Sequence, residues 1–501
     1  MSIKKFIVST SAKWFDIFAL IVFNVISVPL IINKWSIETY GAWIVLFGVI
    51  SFINIPYDGL QQYIYSKNLQ LGKNKKKEIS KNIISSLPFT LLISLVIVLL
   101  LAIELNYQFL TNSLNITDSL KKEWTLALFL FGIYSLLTFT VIPFYTQALS
   151  IFGYLPFFMW SASIRTMIVN ISYILGIYLY DVSLAIAAAL YLVTGIIFHL
   201  LELIFIYIYI KKEQIKFESL NLRNGFNNFL KSIWISTTYI VESIGTQGLR
   251  LIISTLANPA TLVIFITIRT IVNVFNQILE TIRIPFLIEI MNHISNKDSK
   301  KINKNFELYY IFISIIIFPS VIFLQFFIED IYNVWTLGKV KFNFETYTIL
   351  IMAVLITCIG FPYRVIITGN NIIKSKFGIT LIKSLFLILF IFIFYGKIKI
   401  LSFSIAIFLS ELIELLFNYF IINNFFKKKK FTYNKKIFFK VIINLLLCFI
   451  IFIVYSISRT SITNYNFLIT ACIIIYLINT LIMFRVLSID TILIFKKIRQ
   501  R

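Results

Sequence analysis

Arg269, Asn273, Asn276, Glu280 and Arg283 follow one another at steps of four, three, four and three residues. That spacing places all five on one stripe of an α-helix. Between them stand Ile271, Val272, Val274, Phe275, Ile278, Leu279 and Ile282, so the stripe is set into an apolar segment. The segment, from Ala260 to Met291, is long enough to cross a hydrocarbon core of about 30 Å. A charge at that depth costs on the order of 3 kcal/mol unless it faces water or a partner. The preceding segment carries a polar line of its own: Thr238, Glu242, Thr246 and Arg250, four apart each time. Two arrangements satisfy both stripes. In one, the arginines line a wet, basic cavity that holds an anion; in the other, Glu242 and Glu280 neutralise Arg250 and Arg269 as structural pairs. Because ionisable groups inside spans mark substrate and ion pathways, the cavity is the working expectation.

Arginine suits a phosphate ligand. Its planar guanidinium donates two parallel hydrogen bonds and stays charged at any physiological pH. Arg250, Arg269 and Arg283 are therefore expected to engage a pyrophosphate or acidic sugars, with Asn273 and Asn276 on the same face. Glu242, Glu280 and Asp58 either hold the arginines in place when the cavity is empty or couple the cycle to an ion such as H+ or Na+. Arg165 and Arg364 are secondary candidates, since each fits a snorkelling position near a helix end equally well.

Other chemistries lack their residues. No GxxxxGK[ST] loop is present, so no nucleotide hydrolysis through a P-loop is expected. His199 and His293 are the only histidines, and Cys358, Cys448 and Cys472 stand apart in apolar runs with no CxxC spacing. Neither a metal nor another cofactor is expected. The loops expected on the outer side are too short for an external catalytic domain, which argues against an enzyme.

The elements that must position these residues are membrane spans. Of 501 residues, 59% are hydrophobic, and the mean hydropathy is +0.89; soluble proteins contain about 45–50% apolar residues. The pattern predicts an all-α polytopic membrane protein with about fourteen helices of spanning length. The net charge of +24 does not indicate nucleic acid, because Lys and Arg cluster in short connections between spans. The even-numbered connections with both tails hold about 32 of them and the odd-numbered about eight, which predicts cytoplasmic termini. No cleavable signal peptide is expected at the N-terminus.

An internal echo divides the spans. Ile55-Pro56-Tyr57 returns as Ile284-Pro285-Phe286, each before a basic loop, and Ile142-Pro143-Phe144-Tyr145 answers to Phe361-Pro362-Tyr363 at a similar offset. The expected division is an N-lobe of spans one to six (1–210), a basic connector (211–231), a C-lobe of spans seven to twelve (232–424), and two appended helices (425–501).

Several short patterns carry a resemblance. Gly41-Ala42-Trp43 opens the second span and Asp58-Gly59-Leu60 stands near its end. Pro285-Phe286-Leu287-Ile288-Glu289 ends the eighth span, Val334-Trp335-Thr336-Leu337-Gly338 forms an outer loop, and Thr368-Gly369-Asn370 follows the tenth span. In this order and spacing they resemble Wzx-type polysaccharide flippases of the multidrug/oligosaccharidyl-lipid/polysaccharide exporter superfamily. A second proline usual at the end of span eight is missing, and Thr336 alters the outer loop. The resemblance implies two six-helix lobes around a central cavity, two extra C-terminal helices, and location in a bacterial inner membrane. It further implies that a polyprenyl-pyrophosphate-linked oligosaccharide repeat unit is moved from the cytoplasmic to the outer leaflet, as in O-antigen or capsule assembly. A polymerase and chain-length proteins would share the pathway. Two other readings stay open: a multidrug cation antiporter of the same superfamily, and a membrane polysaccharide polymerase.

Overall fold

The computed structural model describes residues 3–458 except 371 and 432–434, together with 474 and 476. All regular structure among them is helical. Contacts divide the chain into two compact units with the boundary at Thr267/Ile268. The first unit contains α1 (Ile3–Lys34), α2 (Ile37–Leu71), α3 (Lys76–Tyr107), α4 (Phe109–Ser113), α5 (Lys121–Phe139), α6 (Ile142–Leu149), α7 (Leu155–Tyr180), α8 (Leu184–Lys212), α9 (Leu222–Ser243) and α10 (Leu249–Leu256). α11 (Pro259–Ser295) begins in the first unit and continues into the second. There it is followed by α12 (Ser299–Phe312), α13 (Phe318–Trp335), α14 (Phe344–Gly369), α15 (Ile373–Ile398), α16 (Leu401–Lys428) and α17 (Lys435–Ser458).

Local chemistry sets the ends of these helices. Ser36, Asn221 and Asn343 precede α2, α9 and α14, and their side-chain oxygens accept from the backbone N–H three residues on, at 3.1, 2.9 and 2.8 Å. Each thereby satisfies one of the orphan donors of a first turn. Gly72, at φ +70°, ends α2. Short π-helical turns join α6 to α7 (Ser150–Tyr154), α9 to α10 (Ile244–Gly248) and α12 to α13 (Ile313–Ile317).

In the first unit α1 packs on α7, α5 and α7 pack on α8, and α9 lies against both α2 and α3. That last contact is close because glycines remove the side chains between backbones. A Cβ on Gly225 would come within 1.8 Å of the Ser85 carbonyl oxygen, and one on Gly59 of α2 within 1.9 Å of Ser236 Oγ and 2.9 Å of the Ser236 nitrogen. Amides lock one end of the contact. The Lys67 ammonium donates to Oδ1 of Asn224 (3.3 Å) and of Asn228 (3.0 Å), while Asn224 Nδ2 donates to Asn82 Oδ1 at 3.1 Å. At the other end Asn115 Nδ2 donates to the carbonyls of Ser254 (3.1 Å) and Thr255 (2.8 Å), and the Ser254 hydroxyl donates to the Leu114 carbonyl. The expected seventh span is thus clasped at both ends by α2–α5. For that reason the compact units part at Thr267/Ile268 and not in the 211–231 connector.

In the second unit α14 is the most enclosed span, with α16 along it and α15 against α16. Pro362 lies inside α14 and has no N–H, which leaves the carbonyl of Cys358, four residues earlier, without its helical donor. The Tyr309 hydroxyl donates to that carbonyl at 2.8 Å, and the Tyr310 hydroxyl donates to the next one, Ile359, at 3.2 Å. Two tyrosines of α12 therefore repair the defect that the proline creates.

Ten helical stretches among the described residues are long and apolar enough to cross a membrane. The difference from the expected count has particular sources. α5 to α7 run as one helical stretch of 60 residues, Lys121–Tyr180, which merges the expected fourth and fifth spans. α9 and α10 are not among the ten, because Arg223, Asn224, Asn227, Asn228, Lys231 and Glu242 make that segment polar. The expected first span lies partly outside the described side chains, and Ile21–Lys34 is the apolar part of α1 among the described residues. The expected fourteenth span lies outside the described residues apart from Ile474 and Tyr476, and Cys472 lies outside them as well.

Candidate functional site

The polar line on the seventh span is not straight. Thr238 and Glu242 fall on α9 and Arg250 on α10, and the π-helical turn Ile244–Gly248 lies between them. Such a turn adds a residue to the helical phase, so Arg250 is rotated away from the face a continuous α-helix would give it. Thr246, within the turn, is exposed, whereas Glu242 and Arg250 are half-buried. Arg250 lies within electrostatic reach of Tyr40 on α2 and forms no ion pair with a carboxylate among the described residues. Asp58 of α2 and Glu242 both lie within reach of the Tyr239 hydroxyl. Arg250, Glu242 and Asp58 are thus all located where α9–α10 meets α2.

The line on the eighth span meets a different fate. α11 carries Arg269 and Asn273, both half-buried, followed by Asn276 and Glu280. Asn276 and Glu280 line a cavity of about 490 Å³ in the second unit, together with Arg364, Lys376, Glu411 and Glu414. Arg269 and Asn273 are not in its lining. Arg283 is on the same helix, and its side chain lies outside the described residues.

This cavity is charge-balanced and not basic. Lys383 of α15 donates to Glu411 Oε1 at 2.6 Å and Glu414 Oε2 at 2.5 Å, so its ammonium bridges two carboxylates of α16. Arg364 Nη1 lies 3.6 Å from Glu414 Oε1, and its Nη2 donates to the Thr357 carbonyl at 3.1 Å. Asn418 Nδ2 reaches the same Glu414 oxygen at 3.4 Å. Arg364 is therefore fixed by a carboxylate and a carbonyl and does not snorkel. The Asn276 Oδ1 atom is buried and has no hydrogen-bond partner among the described residues, which leaves an acceptor for a ligand's donor.

Arg165 lines a second, separate cavity, of about 400 Å³, within the first unit. Its Nη1 lies 2.6 Å from Glu202 Oε2, and the same carboxylate oxygen is 3.1 Å from His199 Nδ1. Ser161 donates to the other carboxylate oxygen at 2.9 Å. Arg165 is thus a paired charge in the lining of this cavity.

The sequence reading leaves out three side chains that line the second unit's cavity, Glu411, Glu414 and Asn418, and Lys383, which binds the two carboxylates from behind the lining. The signal was present, since Lys383 interrupts an apolar run, and Glu411, Glu414 and Asn418 share one helical face at steps of three and four. Which of them meet depends on α14, α15 and α16 coming together. Among the described residues no group of three or more His, Cys, Asp or Glu side chains is placed to hold a metal ion.

No family model and no curated protein matches the chain. Solved structures do. Over 98% of this chain and 100% of its own, a structure described as the lipid II flippase MurJ in an inward closed conformation superimposes with a TM-score of 0.65 at 19% identity. An inward-facing multidrug resistance MATE family transporter of the MOP superfamily gives a TM-score of 0.62 at 15% identity, over 81% of this chain and 94% of the other. A MOP superfamily transporter from Pyrococcus furiosus, whose binding pocket is described as of reversed polarity, gives 0.56 at 14% identity, over 86% and 97%. The chain shares the fold of these structures.

Proposed function

We propose that the chain translocates a polyprenyl-pyrophosphate-linked oligosaccharide across a bacterial cytoplasmic membrane by alternating access, with both termini cytoplasmic. The observation that carries this reading is Arg250, about two turns from the end of α10, half-buried beside Tyr40 and not ion-paired with a carboxylate among the described residues. A cation held there at a cost fits an anionic cargo, and pyrophosphate matches guanidinium geometry. Arg269 and Arg283 extend the same function along α11, Asn273 and Asn276 add neutral hydrogen-bonding groups, and Asp58, Glu242 and Glu280 balance the arginines between cargoes. The lobes of the transport cycle are 1–210 and 232–424, joined by the 211–231 connector, with 425–501 appended; the compact packing units part later, at Thr267/Ile268. The lipid tail remains in the bilayer while the head group crosses.

Cation antiport is the second reading. Three carboxylates, Glu280, Glu411 and Glu414, in the second unit's cavity favour it. Here they serve Lys383 and Arg364, and H+ or Na+ enters as a coupling ion and not as the exchanged cargo.

The test deletes the gene from its native glycan cluster and follows surface glycan together with lipid-linked repeat units on the inner leaflet. Loss of surface glycan with accumulation of complete repeat units inside is expected, and Arg250→Ala/Arg269→Ala at normal expression is expected to reproduce it. Unchanged glycan with raised sensitivity to cationic drugs would establish the antiporter instead.

A further inference from the structure

The first unit's cavity has an unusual lining for a transporter interior. Four rings, Phe47, Phe131, Tyr134 and Tyr191, form a continuous cluster, with centroids 5.3 Å apart for Phe47–Phe131, 4.6 Å for Phe131–Tyr191 and 5.1 Å for Tyr134–Tyr191. Phe47 and Tyr191 are only half-buried, so they present surface to the cavity. Opposite chemistry is provided by Arg165 and Glu202, which neutralise one another at 2.6 Å. The site therefore carries charged hydrogen-bonding groups with little net field.

Two further atoms call for a ligand. Ser135 is fully buried in the lining and its hydroxyl has no hydrogen-bond partner among the described residues. Asn54 Oδ1, also in the lining, is buried and unpartnered. A polar atom left unpaired in an apolar interior costs about 1–3 kcal/mol, a cost that is removed when a bound molecule supplies the missing partner. A volume of about 400 Å³ lies within the range of about 300–1,000 Å³ usual for small-ligand pockets.

We propose that this cavity receives a neutral pyranose ring of the translocated glycan. A pyranose has a face of C–H bonds and a rim of hydroxyls. The face packs on Phe47 and Tyr191, where aromatic rings are electron-rich, and the rim hydroxyls reach the Arg165–Glu202 pair directly and Asn54 and Ser135 once their buried polar atoms turn toward the cavity. An anionic ligand would have to displace Glu202 from Arg165, and a cationic one would have to displace Arg165 from Glu202. The inference rests on the flippase reading and assigns a part of the cargo to a site other than the arginines that take its pyrophosphate.

Saturation-transfer NMR on the purified full-length protein tests it with methyl glycosides of glucose, galactose, rhamnose and N-acetylglucosamine. At least one is expected to receive transfer from the protein. In Asn54→Ala/Ser135→Ala its apparent affinity is expected to fall about fivefold or more, the loss that goes with one or two hydrogen bonds. Lys75→Ala, exposed and outside the lining of both cavities, is expected to bind as the parent does. The proposal is overturned if no glycoside receives transfer, if a lipophilic cation such as tetraphenylphosphonium occupies the same site in preference, or if binding survives the double substitution in a protein that melts normally. The flippase reading fails independently, when Arg250→Ala cells export glycan normally, whether or not a sugar binds.

Discussion

At Lys383 one ammonium is held by Glu411 and Glu414 inside a span. Removing one partner of such a buried set leaves uncompensated charge, at a cost of about 3–5 kcal/mol. Lys383→Met is therefore expected to lower the melting temperature sharply in detergent, and Lys383→Met combined with Glu411→Gln to recover part of the loss. Equal melting of Lys383→Met and the parent would show that the carboxylates are neutral or watered. A finer case is Tyr309, whose hydroxyl answers the carbonyl freed by Pro362. Tyr309→Phe leaves that buried acceptor unpaired and is expected to cost about 1–3 kcal/mol. Restoring the helical donor with Pro362→Ala in the Tyr309→Phe protein is expected to return most of the stability, as a double-mutant cycle would measure.

Among the elements, the close contact of α9 with α2 and α3 is the one that divides the molecule unexpectedly. Two glycines there predict opposite outcomes. At Gly225 an added Cβ would meet the Ser85 backbone carbonyl at 1.8 Å, which α3 can relieve only by moving. Gly225→Ala is expected to destabilise the first unit by about 1–3 kcal/mol, the range for overpacking. At Gly59 the nearest atom is Ser236 Oγ at 1.9 Å, the end of a small side chain. Gly59→Ala is therefore expected to be rescued in part by Ser236→Gly, which clears Oγ and leaves the Ser236 backbone nitrogen at 2.9 Å, while no side-chain substitution on α3 rescues Gly225→Ala. Thermal melting of the four variants checks both statements.

For the whole molecule the charge asymmetry of the connections predicts the topology. With Cys358, Cys448 and Cys472 replaced by Ala, a cysteine at Lys75 is expected to react with an impermeant maleimide only in inverted vesicles. A cysteine at Asp118, in the next connection, is expected to react in intact spheroplasts. The opposite pattern would reverse the direction of transport proposed above, because cargo would then be loaded from the other leaflet.

Much of this protein was determined by the chain alone. Apolar runs of spanning length, interrupted by basic connections, leave an all-helical membrane protein as the only state in which backbone groups are satisfied in lipid. Local rules also placed the charged stripe on α11, since side-chain phase within one regular helix depends on spacing alone. The seventh span escaped those rules, because the π-helical turn at Ile244–Gly248 shifts the phase between Glu242 and Arg250. Nor could spacing show that Asn276 and Glu280 share a cavity with Glu411 and Glu414, or that Arg165 meets Glu202. These are meetings between helices far apart in the chain. They are set by which faces pack, by glycine notches such as Gly225 and by tyrosines mending a proline break. No local pattern encodes them, so the identity of each charge's partner was left to the tertiary structure.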